Sequence, residues 1–233
     1  MVNYSGCFLV GIIYTSDDDY LTRWFVYVSG ENIELAKAEA CVLSNLLSSD
    51  IRFDWIGRLA IIETDVNVSE FILDRAALTQ RAGRILYESD SIENLMSRES
   101  VDIWKNLMTP SDSFSVKTLC VNVNVELDRR TRLEYDLGAH IKKITGAIVN
   151  LRNAEIQILA ILTDERVLIC ESNESRLRSN LRNREPGKKP FFHPSMMNSS
   201  LARVMCNLAE IKSGDIVLDP FCGTGTTLLA AMK

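Results

Sequence analysis

The 233-residue sequence has no Cys-x-x-Cys pair: its six cysteines (Cys7, Cys41, Cys120, Cys170, Cys206 and Cys222) are scattered, and its two histidines, His140 and His193, lie far apart. Zinc modules and disulfide scaffolds need tighter spacing, so no metal ligands are assigned, and the thiols read as reduced in a cytoplasmic protein. There is no Gly-Lys-Ser/Thr, which excludes a P-loop, and no Gly-x-Gly-x-x-Gly, which excludes the common dinucleotide fingerprint. The apolar run from Cys7 to Tyr14 falls far short of the ~20 residues that span a bilayer and lacks the basic flank of a secretory signal. It reads as an edge strand or an extension, and no membrane partner is expected.

What is present is ordinary on average, with 46% hydrophobic and 24% charged residues. The charge is unevenly placed. Residues 1–128 carry 20 acidic and 10 basic side chains, whereas residues 129–233 carry 11 and 16, so a net −10 is followed by a net +5. Such asymmetry points to a segment that meets a polyanion.

Trp24-Phe25-Val26-Tyr27-Val28 predicts a strand, and the turn Ser29-Gly30-Glu31-Asn32 leads into a helix over residues 33–47 with a buried stripe through Leu35, Val42 and Leu46. Leu59–Ile62 predicts a second strand, Val68–Leu73 a short helix, and the segment with Leu78, Ala82 and Leu86 is left unassigned. This alternation suggests a small ferredoxin-like sandwich. Farther on, Ile103, Trp104 and Leu107 suit a helix, and Val121, Val123 and Val125 alternate as in a half-buried strand. Leu133, Leu137, Ile141 and Ile144 recur at helical spacing. Ile156–Leu162 and Val167–Cys170 flank a hairpin turn at Thr163–Arg166. Glu171–Pro190 is poor in apolar residues and rich in arginine, as an interdomain linker is. Asn198 is then placed to cap a helix through Leu201, Val204, Met205 and Leu208.

The most informative segment is Asp219-Pro220-Phe221-Cys222-Gly223-Thr224-Gly225-Thr226, which follows the apolar run Ile216-Val217-Leu218. A strand that ends in an acid and enters a Gly-x-Gly turn before a helix is how a doubly wound sheet begins a nucleoside-cofactor site. Gly223 and Gly225 let a ligand approach the backbone. Asp219, an acceptor only when ionised, suits a cationic amine or hydroxyls better than phosphate. The pattern favours S-adenosylmethionine, with all eight residues of the segment as candidate cofactor contacts.

These eight residues, together with Phe192-His193-Pro194-Ser195 and Leu201-Ala202-Arg203, resemble the amino-group methyltransferases of tRNA guanine N2, and most closely the archaeal guanine-10 type. Ser29-Gly30-Glu31 with Leu35-Ala36, Ala77-Leu78-Thr79 with Arg81, and Leu133-Glu134 with Gly138-Ala139-His140-Ile141 are similar too. The resemblance implies an α/β (α+β) chain: an extension at 1–20, a ferredoxin-like domain at 21–90 and a tRNA-gripping THUMP domain at 91–171. It then implies a basic linker at 172–190 and the truncated start of a Rossmann-like class I methyltransferase domain at 191–233. Val149-Asn150-Leu151-Arg152-Asn153-Ala154-Glu155 resembles a THUMP strand approach, although Ala154 stands where proline is common.

Members of this family also carry an Asp/Asn-Pro-Pro-aromatic motif that holds the target amine, and no such tetrapeptide occurs here. The chain is therefore expected to be inactive alone, with no catalytic residue assigned. Arg129, Arg130, Lys142, Lys143, Arg176, Arg178, Arg182 and Arg184 are the candidate RNA contacts, with tRNA as the expected partner. A small accessory subunit remains open. The competing functions are a non-catalytic THUMP RNA-binding protein and an amino-methyltransferase of rRNA or DNA.

Overall fold

The aromatic and β-branched run at Trp24–Val28 lies in strand β2 (Tyr20–Val28), as its composition predicts. The computed structural model describes residues 12–14, 20–48, 51–91, 100–182 and 196–232. The chain forms two compact units, the first comprising Met1–Phe25, Glu63–Asp65 and Gly83–Ser172 and the second Val26–Ile62, Val66–Ala82 and Asn173–Lys233.

In the second unit, Asn32 caps helix α1 (Ile33–Asn45) by accepting the Leu35 amide at 3.1 Å. The helix buries Ala36, Ala40 and Leu43 and, with them, the acid Glu39, so the buried face lies beside the expected stripe of Leu35, Val42 and Leu46, which are half-buried. Strands β3 (Arg52–Ile56) and β4 (Leu59–Thr64) follow, and helix α2 (Val68–Arg75) is capped by Asn67. The segment that sequence left unassigned becomes β5 (Thr79–Ser89). The parts of these strands in this unit run in the order β3-β4-β2-β5, so the chain passes β-α-β-β-α-β. Its buried apolar residues include Val26, Val28, Leu59 and Ile62 of the strands and Ala36, Ala40, Leu43, Val68 and Ile72 of the helices.

In the first unit, β1 (Ile12–Tyr14) pairs antiparallel with β2. Helix α3 (Ser100–Leu107) precedes β6 (Ser113–Cys120), helix α4 (Leu127–Thr145), β7 (Ile148–Val149), β8 (Ile156–Leu162) and β9 (Val167–Glu174). Strand β6 is parallel to both β7 and β8, which requires a crossover, and α4 supplies it. Leu133, Leu137 and Ile141 of α4 pack with Trp104, Phe114, Val116, Ile158 and Ile169 in one core. Gly146 ends α4 at φ 74°, a conformation that favours glycine. The β8–β9 hairpin forms as its turn residues predict, with Ile158 opposite Glu171 and Leu162 opposite Val167.

The strand expected at Val121–Val125 does not form; the strand of that region is β6, just before it. Asn122 has φ 60°, which breaks an extended run, and the segment serves as the approach to α4, with Val123 and Val125 half-buried against the core.

The remaining helices of the second unit are α5 (Arg176–Arg182), α6 (Ser199–Leu208) and α7 (Thr226–Ala231). Asn198 caps α6 by accepting the amides of Ser200 and Leu201, as the sequence predicts. The expected re-entry at Phe191–Pro194 lies outside the described residues.

Candidate functional site

The segment Asp219–Thr226 forms a tight turn into α7. Gly223 and Gly225 have φ of 52° and 71°, and the Gly225 amide donates to the Cys222 carbonyl at 2.7 Å. Asp219 Oδ1 accepts the Phe221 amide at 3.2 Å. A Cβ at Gly225 would have no heavy atom within 4 Å, and one at Gly223 would have only the Phe221 carbonyl oxygen at 4.0 Å. The glycines are therefore demanded by backbone conformation and not by neighbouring protein atoms, and the space beside them is open to a ligand. Asp219 and the turn line a concavity of about 700 Å³ together with Met196, Met197 and Met205. The residues present thus fit a nucleoside-sized group: methionine side chains offer adaptable apolar surface, and the bare backbone and an acid offer the polar contacts.

The run Ile216–Leu218, expected as a strand, has no strand pairing in the structure. A strand exists only through its partners, and the second unit provides none for this run among the described residues. Ile216 and Leu218 are consequently 99% and 84% exposed, and Phe221 is 93% exposed. The turn and helix are formed; the strand before them is not.

With no ladder to hold it, the turn is placed by helices. The α7 carbonyls are tied to α6: Arg203 Nη1 donates to the Ala230 carbonyl at 2.8 Å and the Cys206 thiol to that of Thr227 at 3.6 Å. Helix α6 in turn is fastened to the body of the unit. Glu39, fully buried, accepts from the Ala77 amide (2.9 Å) and Asn207 Nδ2 (2.7 Å) on Oε1 and from the Leu78 amide (2.8 Å) on Oε2. The Arg75 carbonyl receives both Asn207 Nδ2 at 2.8 Å and Arg203 Nε at 3.1 Å, and Arg75 Nη2 donates to the Ile211 carbonyl at 2.7 Å. Burial pushes the Glu39 carboxyl above its ordinary range, while the two amides, Asn207 and Arg203 pull it back. Burial lowers Arg203, and Arg75 beside it acts in the same direction.

Sequence reading did not single out Glu39 or Asn207. The available signal was an acid at 39 inside the stripe of Ala36, Ala40 and Leu43, where a carboxylate needs dedicated donors.

The RNA candidates are placed differently from one another. Arg129, Lys142 and Lys143 are exposed on α4, but 13 residues of helix, about 20 Å, separate Arg129 from Lys142, so they form no single cluster. Arg130 is half-buried, with Nη2 at 3.5 Å from the Thr118 carbonyl. Arg178 faces Ser29 Oγ and Glu31 Oε1, each at 3.4 Å. Arg176 and Arg182 lie on the backbone of α5, and Arg184 lies outside the described residues. Burial holds the Cys170 thiol well above its ordinary range and raises Cys206, so neither is poised as a nucleophile. Among the described residues, no three His, Cys, Asp or Glu side chains converge as a metal site, and no helix is long and apolar enough to cross a membrane.

Residues 186–232 match a family described as the RMKL-like methyltransferase domain. The tRNA (guanine(10)-N2)-dimethyltransferase of Methanothermobacter thermautotrophicus is 31% identical over 88% of this chain and 60% of its own length. The enzyme of the same name from Methanocaldococcus jannaschii is 29% identical over 88% of this chain and 62% of its own. The chain therefore spans about three fifths of the length of these curated relatives. Among solved structures, TrmN from Thermus thermophilus superposes with a TM-score of 0.58 at 18% identity, covering 90% of this chain and 61% of that one; this likeness concerns the mixed α/β fold alone. The resemblance to archaeal tRNA guanine-10 N2-methyltransferases, read from the motifs, is borne out along most of the chain.

Proposed function

We propose that this chain contributes the tRNA grip and the methyl-donor turn of an S-adenosylmethionine-dependent tRNA guanine-N2 methyltransferase. The observation that carries the reading is the turn itself: two glycines at positive φ with open space where their Cβ atoms would stand, beside an acid and three methionines. The similarity to tRNA guanine-N2 enzymes over most of the chain supports the substrate class.

Asp219 and the backbone of Phe221–Thr226 would hold the donor, whose sulfonium supplies an electrophilic methyl. Met205 and its neighbours would cover the nucleoside and keep water from it. The strand order β3-β4-β2-β5 in a β-α-β-β-α-β chain supports the ferredoxin-like reading of 21–90. The parallel β6-β7-β8 set with crossover α4 is offered as the THUMP domain of 91–171, residues 172–190, whose described part holds the end of β9 and helix α5, as the basic linker, and 191–233 as the opening of the methyltransferase domain. The exposed cations Arg129, Lys142 and Lys143 are the RNA contacts best placed to reach phosphate. Lacking the Asp/Asn-Pro-Pro-aromatic tetrapeptide, these 233 residues would bind without transferring a methyl.

Calorimetric titration with S-adenosylhomocysteine tests the donor site. Asp219→Ala is expected to weaken binding about tenfold, the effect of losing one hydrogen bond of charged character. Equal affinity of both proteins would remove Asp219 from the site, and no binding by the wild type would end the donor reading. For the RNA arm, the affinity for tRNA should fall steeply with salt, and replacing Arg129, Lys142 and Lys143 by Ala should flatten the log–log slope by about 2 to 3. An unchanged slope would place the RNA elsewhere.

A further inference from the structure

Arg203 and Asn207 are almost completely removed from water, at 3% and 0% exposure, on the helix that precedes the donor turn. Burying a guanidinium is costly unless its donors are met, and Arg203 directs them at two backbone carbonyls, one at the end of α2 and one in α7. Nε meets the Arg75 carbonyl at the end of α2, and Nη1 meets the Ala230 carbonyl in α7. Asn207 makes the matching connection one turn later: its single amide nitrogen donates to the Arg75 carbonyl and to Glu39, whose other bonds hold the amides of Ala77 and Leu78. The turn between these anchors has no strand ladder of its own.

We infer that Glu39, Asn207 and Arg203 form a positioning relay that makes the β-α-β-β-α-β body of the second unit, through α6 and α7, the element that sets where the donor turn stands. The body is then part of the donor site's architecture as well as a companion to RNA binding. The inference rests on reading Asp219–Thr226 as the donor turn, but its mechanical part can be tested without a ligand. A backbone carbonyl cannot be removed by mutation, so the relay is broken at its donors.

The test compares the purified wild type with Arg203→Met, Arg203→Lys and Asn207→Ala. Amide hydrogen exchange without ligand should accelerate about tenfold at Leu229 and Met232 in R203M, the effect of losing the one hydrogen bond from Arg203 that ties α7, while α1 amides keep their wild-type rates. S-adenosylhomocysteine affinity should fall by a similar factor, with tRNA affinity unchanged within about twofold. R203K, which keeps a cationic donor on a side chain one bond shorter, should recover part of both losses; a general packing defect would not be rescued this way. Should R203M fail to fold, N207A carries the same comparison with changes in the same direction. Wild-type exchange in α7 of the foldable variants overturns the relay. Faster exchange in a protein whose wild type binds no S-adenosylhomocysteine keeps the relay and discards the donor reading. Faster exchange with unchanged affinity overturns the claim that the relay serves the site.

Discussion

Replacing Gly83 by Ala will destabilise the protein by about 3 kcal/mol or more, at the upper end of what overpacking costs. An alanine Cβ at this position would stand 1.9 Å from the Glu171 carbonyl oxygen, 2.9 Å from the carbon of the same carbonyl and 3.0 Å from Phe25 Cε1. Two of the three obstacles are backbone atoms, which cannot rotate away as a side chain can. Relief requires β5 to withdraw from Glu171, breaking ladder bonds and separating Arg84 from Glu171, now 3.2 Å apart. For a chain of this size the loss corresponds to about 6 to 12 °C in melting temperature.

The control is another glycine in the same unit. Gly138 sits in the middle of α4, where an added Cβ would meet only Val116 Cγ2 at 3.8 Å, an ordinary contact. Gly138→Ala should therefore be neutral or stabilising by about 0.5 to 1 kcal/mol, through helix propensity and a smaller entropy loss on folding. Thermal or urea unfolding should show a large loss for Gly83→Ala and none for Gly138→Ala if the approach of β5 to Glu171 is as described. Equal effects would refute it.

The contrast shows which features a sequence makes legible. Helix α1 is readable because Asn32 stands before an apolar stripe, and the β8–β9 hairpin because Thr163–Arg166 separates two apolar runs; both signals are local. Strand β5 is harder to read because Arg81 and Arg84 interrupt its apolar residues, and their partners Glu174 and Glu171 are about 90 residues away. Strand β6 is obscured by hydroxyl residues: Ser115 and Thr118 are buried, and the Thr118 amide and hydroxyl both donate to Glu134 of α4. The valines that follow alternate convincingly, yet Asn122 turns the backbone there. At the candidate site, the Gly-x-Gly turn was legible from residue type, whereas strand character at Ile216–Leu218 depends on pairing that the residues themselves cannot encode. Glu39 and Asn207 escaped notice because the donors that make a buried carboxylate tolerable come from residues 38 to 168 positions away.

Glu39→Ala should accordingly cost about 3 to 5 kcal/mol, comparable to breaking a buried ion pair. The amides of Ala77 and Leu78 would be left buried without acceptors, each at about 1 to 3 kcal/mol, and Arg203 would lose the negative charge near it. Asn207 Nδ2 would keep its bond to the Arg75 carbonyl. Glu39→Gln separates geometry from charge, since it preserves one acceptor oxygen and cannot titrate. Its pH dependence has a definite sign. The folded carboxyl is raised above its unfolded value of about 4.3, so between that pH and the raised value the folded protein holds more protons than the unfolded one. The contribution of Glu39 is full below the unfolded value and declines as pH rises through the folded one. Urea unfolding across this window should show wild-type stability falling relative to E39Q as pH increases. A difference that grew in the opposite direction would mean that the amides, Asn207 and Arg203 outweigh burial and hold the carboxylate ionised.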